Sequence, residues 1–239
     1  MDLSVVIPVR NEAPNVAPLV AEIRAALDEH FDYEIIYVDD GSSDETAAEL
    51  ARLRRDFPRL RAIRHRRSCG QSMAILSGVK AARAPWIATL DGDGQNDPGD
   101  IPSLWIKTQR QAAPPLLVIG ERRRRRDSWI KRWASSIANA VRRALLRDGT
   151  PDTGCGLKLF PRELFLELPT FDHMHRFLPA LVQRAGGKVI SVPVNHRPRQ
   201  HGRSHYGVID RALVGIVDLF GVMWLLRRAK NPELVGDDP

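Results

Sequence analysis

The first 120 residues alternate short apolar runs with longer segments whose apolar residues recur every three or four positions. The short runs have the length of strands, and the longer spacing matches one face of an α-helix. Strands that alternate with helices form βαβ units with parallel strands and right-handed crossovers. We therefore predict an α/β fold with a mainly parallel sheet flanked by helices. The predicted strands are 3–8, 33–38, 60–64, 86–90 and 116–120, and the predicted helices are 16–27, 46–55 and 72–82.

The chain has 239 residues, of which 43% are hydrophobic. This suffices for one substantial core, but the chain is too short for two ordinary domains with separate cores. We expect one domain over residues 1–205 and a C-terminal amphipathic tail over residues 206–239, which lies on a membrane or packs on the domain. The formal net charge of +7 indicates an anionic partner, such as nucleotide phosphate, nucleic acid or an acidic membrane face.

Short sequence features exclude several other classes of protein. Cys69 and Cys155 have no CxxC or Cys/His spacing, so neither a disulfide framework nor a zinc site is indicated. The N-terminus enters an apolar run without a basic segment, so we expect a strand rather than a signal peptide. Residues 212–226 are apolar but contain Asp218, and a spanning helix needs about 20 apolar residues. This stretch is expected to lie on a membrane or to pack on the domain.

Two aspartates separated by one glycine, Asp91 and Asp93, follow the fourth predicted strand. Open α/β sheets bind ligands at the carboxyl ends of their strands. Two carboxylates at this spacing can approach one divalent cation, whose remaining positions take phosphate oxygens. We therefore interpret Asp91 and Asp93 as a site for a metal and a diphosphate. Taken alone, the motif is equally compatible with a turn that ends a strand.

Other sites that contain closely spaced aspartates fit this segment less well. An EF-hand loop requires glycine and glutamate at positions occupied here by Asn96 and Pro102, which excludes it. A phosphoaspartyl hydrolase uses the first aspartate as its nucleophile, and it stays a weaker alternative because this motif follows three βα units. Neither GxxxxGK[ST] nor GxGxxG occurs, so the glycine-cradled phosphate sites of kinases and dehydrogenases are absent.

Polar residues also follow the first and second predicted strands. Asp39 and Asp40 end the second strand, where acidic groups can hold ribose hydroxyls or a base edge, although an N-capping loop explains the same segment. Pro8, Arg10 and Glu12 follow the first strand. The loops after strands one, two and four converge at one edge of the sheet, which favours a nucleotide site with a metal.

A run of five arginines begins at Arg122 and leads into a predicted helix. A basic amphipathic helix with tryptophans suits an anionic membrane interface, and core packing with a solvated basic face is the alternative. The apolar stripe consists of Trp129, Trp133, Ile137, Val141 and Leu145, and the basic residues on the other faces are Lys131, Arg132, Arg142, Arg143 and Arg147.

An ordered set of segments resembles the inverting family 2 glycosyltransferases, within their dolichol-phosphate mannosyltransferase-like branch. The resemblance covers nearly the whole chain and implies a GT-A fold and a Mg²⁺ or Mn²⁺ cofactor. It also implies a nucleotide diphosphate sugar donor, GDP-mannose or a UDP-sugar, and a dolichyl or undecaprenyl phosphate acceptor at the cytoplasmic membrane surface. The segments are VVIPVRNE, YVDDGSSDET, RRSCGQSMAILSGVKAA, LDGDGQNDP, GERRRRRDS, DTGCGLKLF and HRPRQHGRSHYG.

The resemblance also implies roles for individual residues. Asp152 approaches the acceptor or the metal site, although an aspartate before Thr-Gly is also a common turn former. The segment with His173, His175 and Arg176 lies near the acceptor and offers these side chains to anionic groups, and a purely structural role is the alternative for each histidine. His205 stands where the family has a lysine, so affinity for phosphate would depend on pH. The nucleoside is expected to contact Pro8, Arg10, Glu12, Val38 and Asp40, the metal and diphosphate Asp91, Asp93 and Gln95, and the phosphates Arg122, Arg132, Arg203 and Ser204.

Two other functions stay open at this point. A transferase that acts on a hydroxyl acceptor of the cell envelope needs a carboxylate base, for which Asp152 is the first candidate. A nucleic-acid-binding module would use the arginine run for salt-sensitive phosphate contacts. That function leaves the three acidic loops unexplained, so no nucleic acid is expected.

Overall fold

The computed structural model of the chain describes residues 1–109, 115–122, 142–199, 208–228 and 230. Within this part of the chain, one seven-stranded sheet has the order β3-β2-β1-β4-β6-β5-β7. The strands are β1 (Leu3–Val9), β2 (Tyr33–Asp39), β3 (Leu60–Arg64), β4 (Trp86–Thr89), β5 (Leu116–Arg122), β6 (Lys158–Pro161) and β7 (Lys188–Val194). The helices are α1 (Ala13–Leu27), α2 (Thr46–Asp56), α3 (Gln71–Ala81), α4 (Ile101–Thr108), α5 (Arg162–Glu167), α6 (Leu178–Arg184) and α7 (Val208–Arg227).

The predicted α/β fold is confirmed, and all five predicted strands are present. Strands β3, β2, β1 and β4 are parallel, as βαβ units require. Strand β6 lies between β4 and β5 and is antiparallel to both, while β5 and β7 are parallel. The sheet is therefore mainly parallel, with one reversed strand beside the candidate site.

Alternation of side chains along the strands divides the interior into two cores. On β1, Leu3, Val5 and Ile7 pack with α1, α2 and α4 on one face of the sheet. Val6 packs on the other face with α3, α5, α6 and α7. Because successive strand residues point to opposite faces, a nearly continuous apolar strand indicates burial on both sides.

Helix α7 packs one face on the domain and exposes the other. Val222 is fully buried in the second core, whereas Val217, Phe220 and Trp224 are 71%, 63% and 60% exposed. Among the described helices, none has both the length and the apolar content that crossing a membrane demands. The division at residue 205 stays a prediction.

Arg142 was expected on the solvated basic face of the tryptophan helix, and this expectation is wrong. Its side chain is buried and contacts Asp148, Thr150 and Thr153, so it organises the loop before β6. Leu145, which belongs to the predicted apolar stripe, is 44% exposed. A buried guanidinium is stable here because its partners replace water. Most of the predicted helix, including Trp129, Trp133 and Arg132, lies outside the described residues.

Candidate functional site

The loops after β1, β2 and β4 meet at the carboxyl edge of the sheet, as the sequence predicts. The backbone amide of Asn11 donates to Ser42 Oγ at 2.9 Å, and the amide of Ser43 donates to Asn11 Oδ1 at 2.8 Å. Gly92, in the loop after β4, packs against Val9 of β1. These contacts bring the acidic motifs of three separate segments to one place.

Asp40 is a buried carboxylate that organises the loop before α3. It accepts hydrogen bonds from the backbone amides of Cys69 and Gly70, at 2.8 and 2.9 Å, and from Ser68 Oγ at 2.7 Å. His65 Nδ1 lies 2.7 Å from the same carboxylate. Burial alone would raise the pKa of Asp40, but these donors outweigh it and lower the pKa. A contact of Asp40 with a nucleoside stays a prediction.

The other residues expected around the nucleoside differ widely in accessibility. The Val38 side chain is fully buried and packs against Gly78 of α3, whereas Arg10 is exposed. Glu12 is buried and forms an ion pair with Arg199, and its backbone amide donates to Thr46 Oγ1 at 3.0 Å. The Val38 side chain is therefore closed off from solvent and the Arg10 side chain is open to it, and a contact of either residue with a nucleoside stays a prediction.

Asp91 and Asp93 form the oxygen-rich centre of the site. Gln71 Nε2 donates to Asp91 Oδ1 at 2.8 Å, and the amide of Gln95 donates to Asp93 Oδ1 at 3.1 Å. Burial, reinforced by the charge of Asp93, raises the pKa of Asp91 to about 6. Because the charge of Asp93 disfavours the ionised form of Asp91, a hard divalent cation, which prefers oxygen ligands, would fit between these groups.

Gly156 leaves room for the Asp91 carboxylate because it has no side chain. A Cβ atom at residue 156 would lie 2.2 Å from Asp91 Oδ2, far inside van der Waals contact. The carbonyl of Gly156 also accepts a hydrogen bond from Thr89 Oγ1 at 2.7 Å, which ties it to β4. Gly156, the second glycine of GCG, is therefore needed for the shape of the predicted metal site.

Arg122 and Asp152 form a bidentate ion pair next to Asp91. Arg122 Nε and Nη2 donate to the two carboxylate oxygens of Asp152 at 2.6 and 2.7 Å. The pair fixes the plane of the guanidinium and raises the pKa of Arg122 despite its burial. A carboxylate held in this way is a poor general base, because accepting a proton would break the ion pair.

Lys158 is a buried cation that the sequence analysis did not single out. It begins β6, between the strands that end near Asp91 and Arg122, and its Nζ donates to the carbonyl of Cys155. Burial lowers the pKa of Lys158, while the nearby charges of Asp91 and Asp152 favour its charged form. The sequence signal that could have indicated a buried lysine is its position within the apolar run GLKLF.

His175 and His173 were expected near an anionic acceptor, and both have protein partners. His175 Nδ1 lies 2.7 Å from Ser72 Oγ, and burial lowers the pKa of His175 well below 6.5. His173 Nδ1 lies 3.0 Å from Asp218 Oδ2 of α7. A neutral, buried imidazole is unsuited to binding phosphate, so His175 organises the start of α3 instead.

The segment before residue 200 is anchored across the loop that contains Gln95. The amide of Arg197 donates to the Gln95 carbonyl at 3.0 Å, and Gln95 Nε2 donates to the Arg197 carbonyl at 3.3 Å. Arg197 also forms ion pairs with Glu22 and Asp97, at 2.8 and 2.6 Å. The predicted phosphate residues that follow, Arg203, Ser204 and His205, lie outside the described residues.

Comparison with known sequences identifies related transferases. A dodecaprenyl-phosphate galacturonate synthase of Rhizobium johnstonii is 35% identical over 237 residues, which cover 97% of this chain and 69% of the relative. An undecaprenyl-phosphate 4-deoxy-4-formamido-L-arabinose transferase of Edwardsiella ictaluri is 34% identical over 209 residues, which cover 87% of this chain and 63% of the relative. The chain thus spans about two thirds of the length of these relatives.

Solved structures share the fold at lower sequence identity. The mannosyl-3-phosphoglycerate synthase of Rubrobacter xylanophilus superposes with a TM-score of 0.72 and 17% identity, covering all of this chain and 79% of that one. A Pyrobaculum calidifontis mannosyltransferase in complex with GDP-Man and Mn²⁺ gives a TM-score of 0.67 and 21% identity, covering 96% of this chain and 65% of that one. The profile of the family described as "Glycosyl transferase family 2" matches residues 4–168, so the chain belongs to this family and is a glycosyltransferase of GT-A fold.

Proposed function

We propose that this enzyme transfers a sugar from a nucleotide diphosphate sugar to a polyprenyl phosphate, with inversion and with the help of a divalent cation. The observation that carries the proposal is the arrangement of the acidic pair Asp91 and Asp93 beside the Arg122–Asp152 ion pair. The relatives named for dodecaprenyl and undecaprenyl phosphate support this acceptor class.

Asp91 and Asp93 would hold the cation, and Gln71 orients the Asp91 carboxylate by its hydrogen bond of 2.8 Å. When bound, such a cation offsets the negative charge that grows on a leaving diphosphate. Gln95 was expected to join the cation site, and its side-chain amide instead donates to the Arg197 carbonyl in this structure. Gln95 thus supports the loop that carries Asp93, and its contact with the metal stays a prediction.

Arg122 would bind a phosphate of the substrates. Two of its nitrogens donate to Asp152, and these two hydrogen bonds fix the plane of the guanidinium. The third nitrogen, Nη1, would then donate to an anion in that plane. An oxygen of the acceptor phosphate would form a bond to the anomeric carbon while the bond from that carbon to the donor diphosphate breaks, and the diphosphate leaves with the electron pair. Positioning and charge neutralisation then supply most of the rate.

A phosphate acceptor fits this site better than a hydroxyl acceptor. A phosphate oxygen is already ionised at neutral pH, so the reaction requires no strong base. Asp152, the candidate base for a hydroxyl acceptor, has both oxygens engaged by Arg122. The exposed apolar face of α7 supports a location at the cytoplasmic membrane surface, where a lipid-linked acceptor resides.

The proposal is tested by incubating the purified protein with undecaprenyl phosphate, Mg²⁺ or Mn²⁺, and a panel of GDP- and UDP-sugars. Release of nucleotide diphosphate is the readout, Asp93→Ala is the inactive variant, and Asp56→Ala on the exposed end of α2 is the matched control. We expect release that requires both the lipid phosphate and the metal, and that is lost only in Asp93→Ala. Metal-dependent release that ignores the lipid would point to a hydroxyl acceptor instead, and no release with any donor would refute the proposal.

A further inference from the structure

A pocket of about 500 Å³ opens between α6, the C-terminal part of α7 and residues 145–147. Its size lies within the range of pockets that bind small ligands, about 300–1,000 Å³. The residues that line it are Leu145, Leu146, Arg147, Ala180, Gln183, Arg184, Met223, Leu226 and Arg227. None of these residues is acidic, and three are arginines.

The arginines give the pocket a positive rim. Arg147 and Arg227 are exposed, and no ion pair to either one occurs within the described ranges. Arg184 is fixed in place because its Nε donates to the carbonyl of Leu225 at 3.1 Å. Positive charges around one cavity produce a positive potential there, and a bound anion would reduce their mutual repulsion. Guanidinium groups suit phosphate in particular, because they can donate two parallel hydrogen bonds to it.

The floor of the pocket is apolar. Leu145 is 44% exposed, and Met223 and Leu226 are only partly buried at the edge of the second core. Along α7, the exposed residues Phe220 and Trp224 continue at helical spacing to Arg227, so the apolar surface leads directly to the basic rim. An amphiphile with an anionic head and an alkyl chain matches this combination of surfaces.

The pocket lies away from the candidate site. Gln183 is near the end of α6, and Lys188 begins β7 shortly after it, where the Lys188 amide donates to the carbonyl of Pro115 at 2.8 Å. Leu116 and Arg122 are the opposite ends of β5, which at about 3.3 Å per residue are about 20 Å apart. A ligand in the pocket is therefore not the phosphate that reacts beside Arg122.

We propose that this pocket binds one anionic phospholipid of the membrane, with its phosphate on Arg147 and Arg227 and an acyl chain along Leu145, Met223 and Leu226. The inference rests on the membrane location in the proposed function and adds to it a defined site for a single lipid. Membrane attachment then depends on lipid chemistry as well as on the apolar face of α7.

A short-chain lipid that stays monomeric in water separates a pocket from a diffuse basic surface. Binding of dioctanoylphosphatidylglycerol to the full chain is measured by calorimetry, with dioctanoylphosphatidylcholine and inorganic phosphate as comparison ligands. The pocket variants are Arg147→Asn with Arg227→Gln, which removes two charges, and Met223→Trp, which fills the cavity. Asparagine suits residue 147 because its φ of 55° is left-handed.

We expect one phosphatidylglycerol per chain, at least about tenfold weaker binding of phosphatidylcholine, and no displacement by millimolar inorganic phosphate. Both pocket variants should weaken binding at least about tenfold. Arg54→Gln with Arg55→Gln removes two exposed charges from α2 and should leave affinity within about twofold. Thermal unfolding of each variant establishes that it is folded.

Several results would overturn the inference. These are equal affinity for the two lipids, unchanged binding in the double arginine variant, or displacement of phosphatidylglycerol by farnesyl phosphate, which would assign the pocket to the acceptor. Sugar transfer to a water-soluble short-chain acceptor, measured on the same preparations, keeps the two proposals separate. Transfer without lipid binding contradicts only the phospholipid pocket, and lipid binding without transfer contradicts only the proposed function.

Discussion

In the ion pair between Arg122 and Asp152, two guanidinium nitrogens donate to the two carboxylate oxygens. A lysine at residue 122 keeps the charge but cannot make both hydrogen bonds or present a fixed plane to phosphate. We expect Arg122→Lys to lower kcat/KM by about tenfold to a hundredfold, since a charge-assisted hydrogen bond contributes about 1.5–3 kcal/mol. Arg143→Lys, at an exposed residue, is the matched control, and an equal loss in both variants would contradict this role.

Gly156 allows a second prediction at the residue scale. Gly156→Ala places a methyl group against the Asp91 carboxylate, so the carboxylate must move. We expect at least about a tenfold loss of Mn²⁺-dependent activity, with the required Mn²⁺ concentration increased. Gly221→Ala is the control, because nothing lies within 4 Å of its added Cβ. A Mn²⁺ requirement unchanged in Gly156→Ala would show that Asp91 does not bind the cation.

The buried imidazole of His175 makes the stability of the folded protein depend on pH. Its pKa in the folded protein is well below the unfolded value of 6.5, because burial disfavours the charged ring. Below pH 6.5 the unfolded chain therefore binds a proton that the folded chain does not, and the free energy of unfolding falls by up to about 1.4 kcal/mol per pH unit. Urea unfolding from pH 7.5 to 5.5 should show this loss.

The matched variants for this pH dependence are His175→Asn and His30→Asn. An asparagine at residue 175 can still reach Ser72 but does not titrate, so the pH dependence should flatten. His30 is exposed in the turn after α1, and its replacement should leave the slope as it is in the parent protein. A slope that persists in His175→Asn would assign the effect to other groups.

Sequence alone identified the acids of the site but not their supports. Asp91 and Asp93 are recognisable because both lie in one short motif at a strand end. Gln71 donates to Asp91, and His175 lies against Ser72, the next residue of α3. Buried Lys158 lies near enough to Asp91 for their charges to interact. These residues belong to other elements than the aspartates, and only tertiary structure brings them together. A single side chain in an apolar helix or strand carries little information about which neighbour it will meet.

At the scale of elements, predictability followed the strength of the local pattern. The strands β1 to β5 and the helices α1 to α3 were anticipated within a few residues because their apolar periods are long and regular. Strand β6 has four residues and α5 has six, too few to establish a period. The reversed direction of β6 depends on pairing with β4 and β5, which local sequence does not encode.

Polar contacts as well as an apolar face hold α7 to the domain, and one of them joins Asp218 of α7 to His173. Asp218 is largely buried against His173, whose φ of 63° is unusual for a residue other than glycine. We expect Asp218→Ala to destabilise α7 by about 0.5–1.5 kcal/mol, because the mutation removes the hydrogen-bond partner that the partly buried His173 has on this helix. Faster amide hydrogen exchange within α7 would measure this, and Asp56→Ala is the control.

The Asp218→Ala variant also tests whether the position of α7 affects catalysis. Residues 172–175 lie between α7 and the start of α3, where His175 meets Ser72 and Asp172 packs against Gly70. Loosening α7 should therefore disturb transfer more when the acceptor is embedded in vesicles than when it is soluble. Equal effects on both acceptors would restrict Asp218 to a structural role.

At the scale of the whole molecule, the sheet collects groups from both halves of the chain at one edge. The first half supplies the loops after β1, β2 and β4, and the second half supplies Asp152, Lys158 and the segment that ends at Arg199. The family profile ends at residue 168, before this last segment. The profile match therefore does not include this part of the sheet edge.

The ion pairs of Arg197 and Arg199 with residues near the start of the chain limit when these contacts can form during synthesis. Both arginines reach back to α1 and to the residue before it, joining Glu22 and Glu12 across most of the chain. A ribosome finishes β1, α1 and the aspartate motif long before it adds these arginines. The parallel strands β1 to β4 can pair before these arginines are made, but the loop that contains Glu12 gains its ion pair with Arg199 only after residue 199 has left the ribosome.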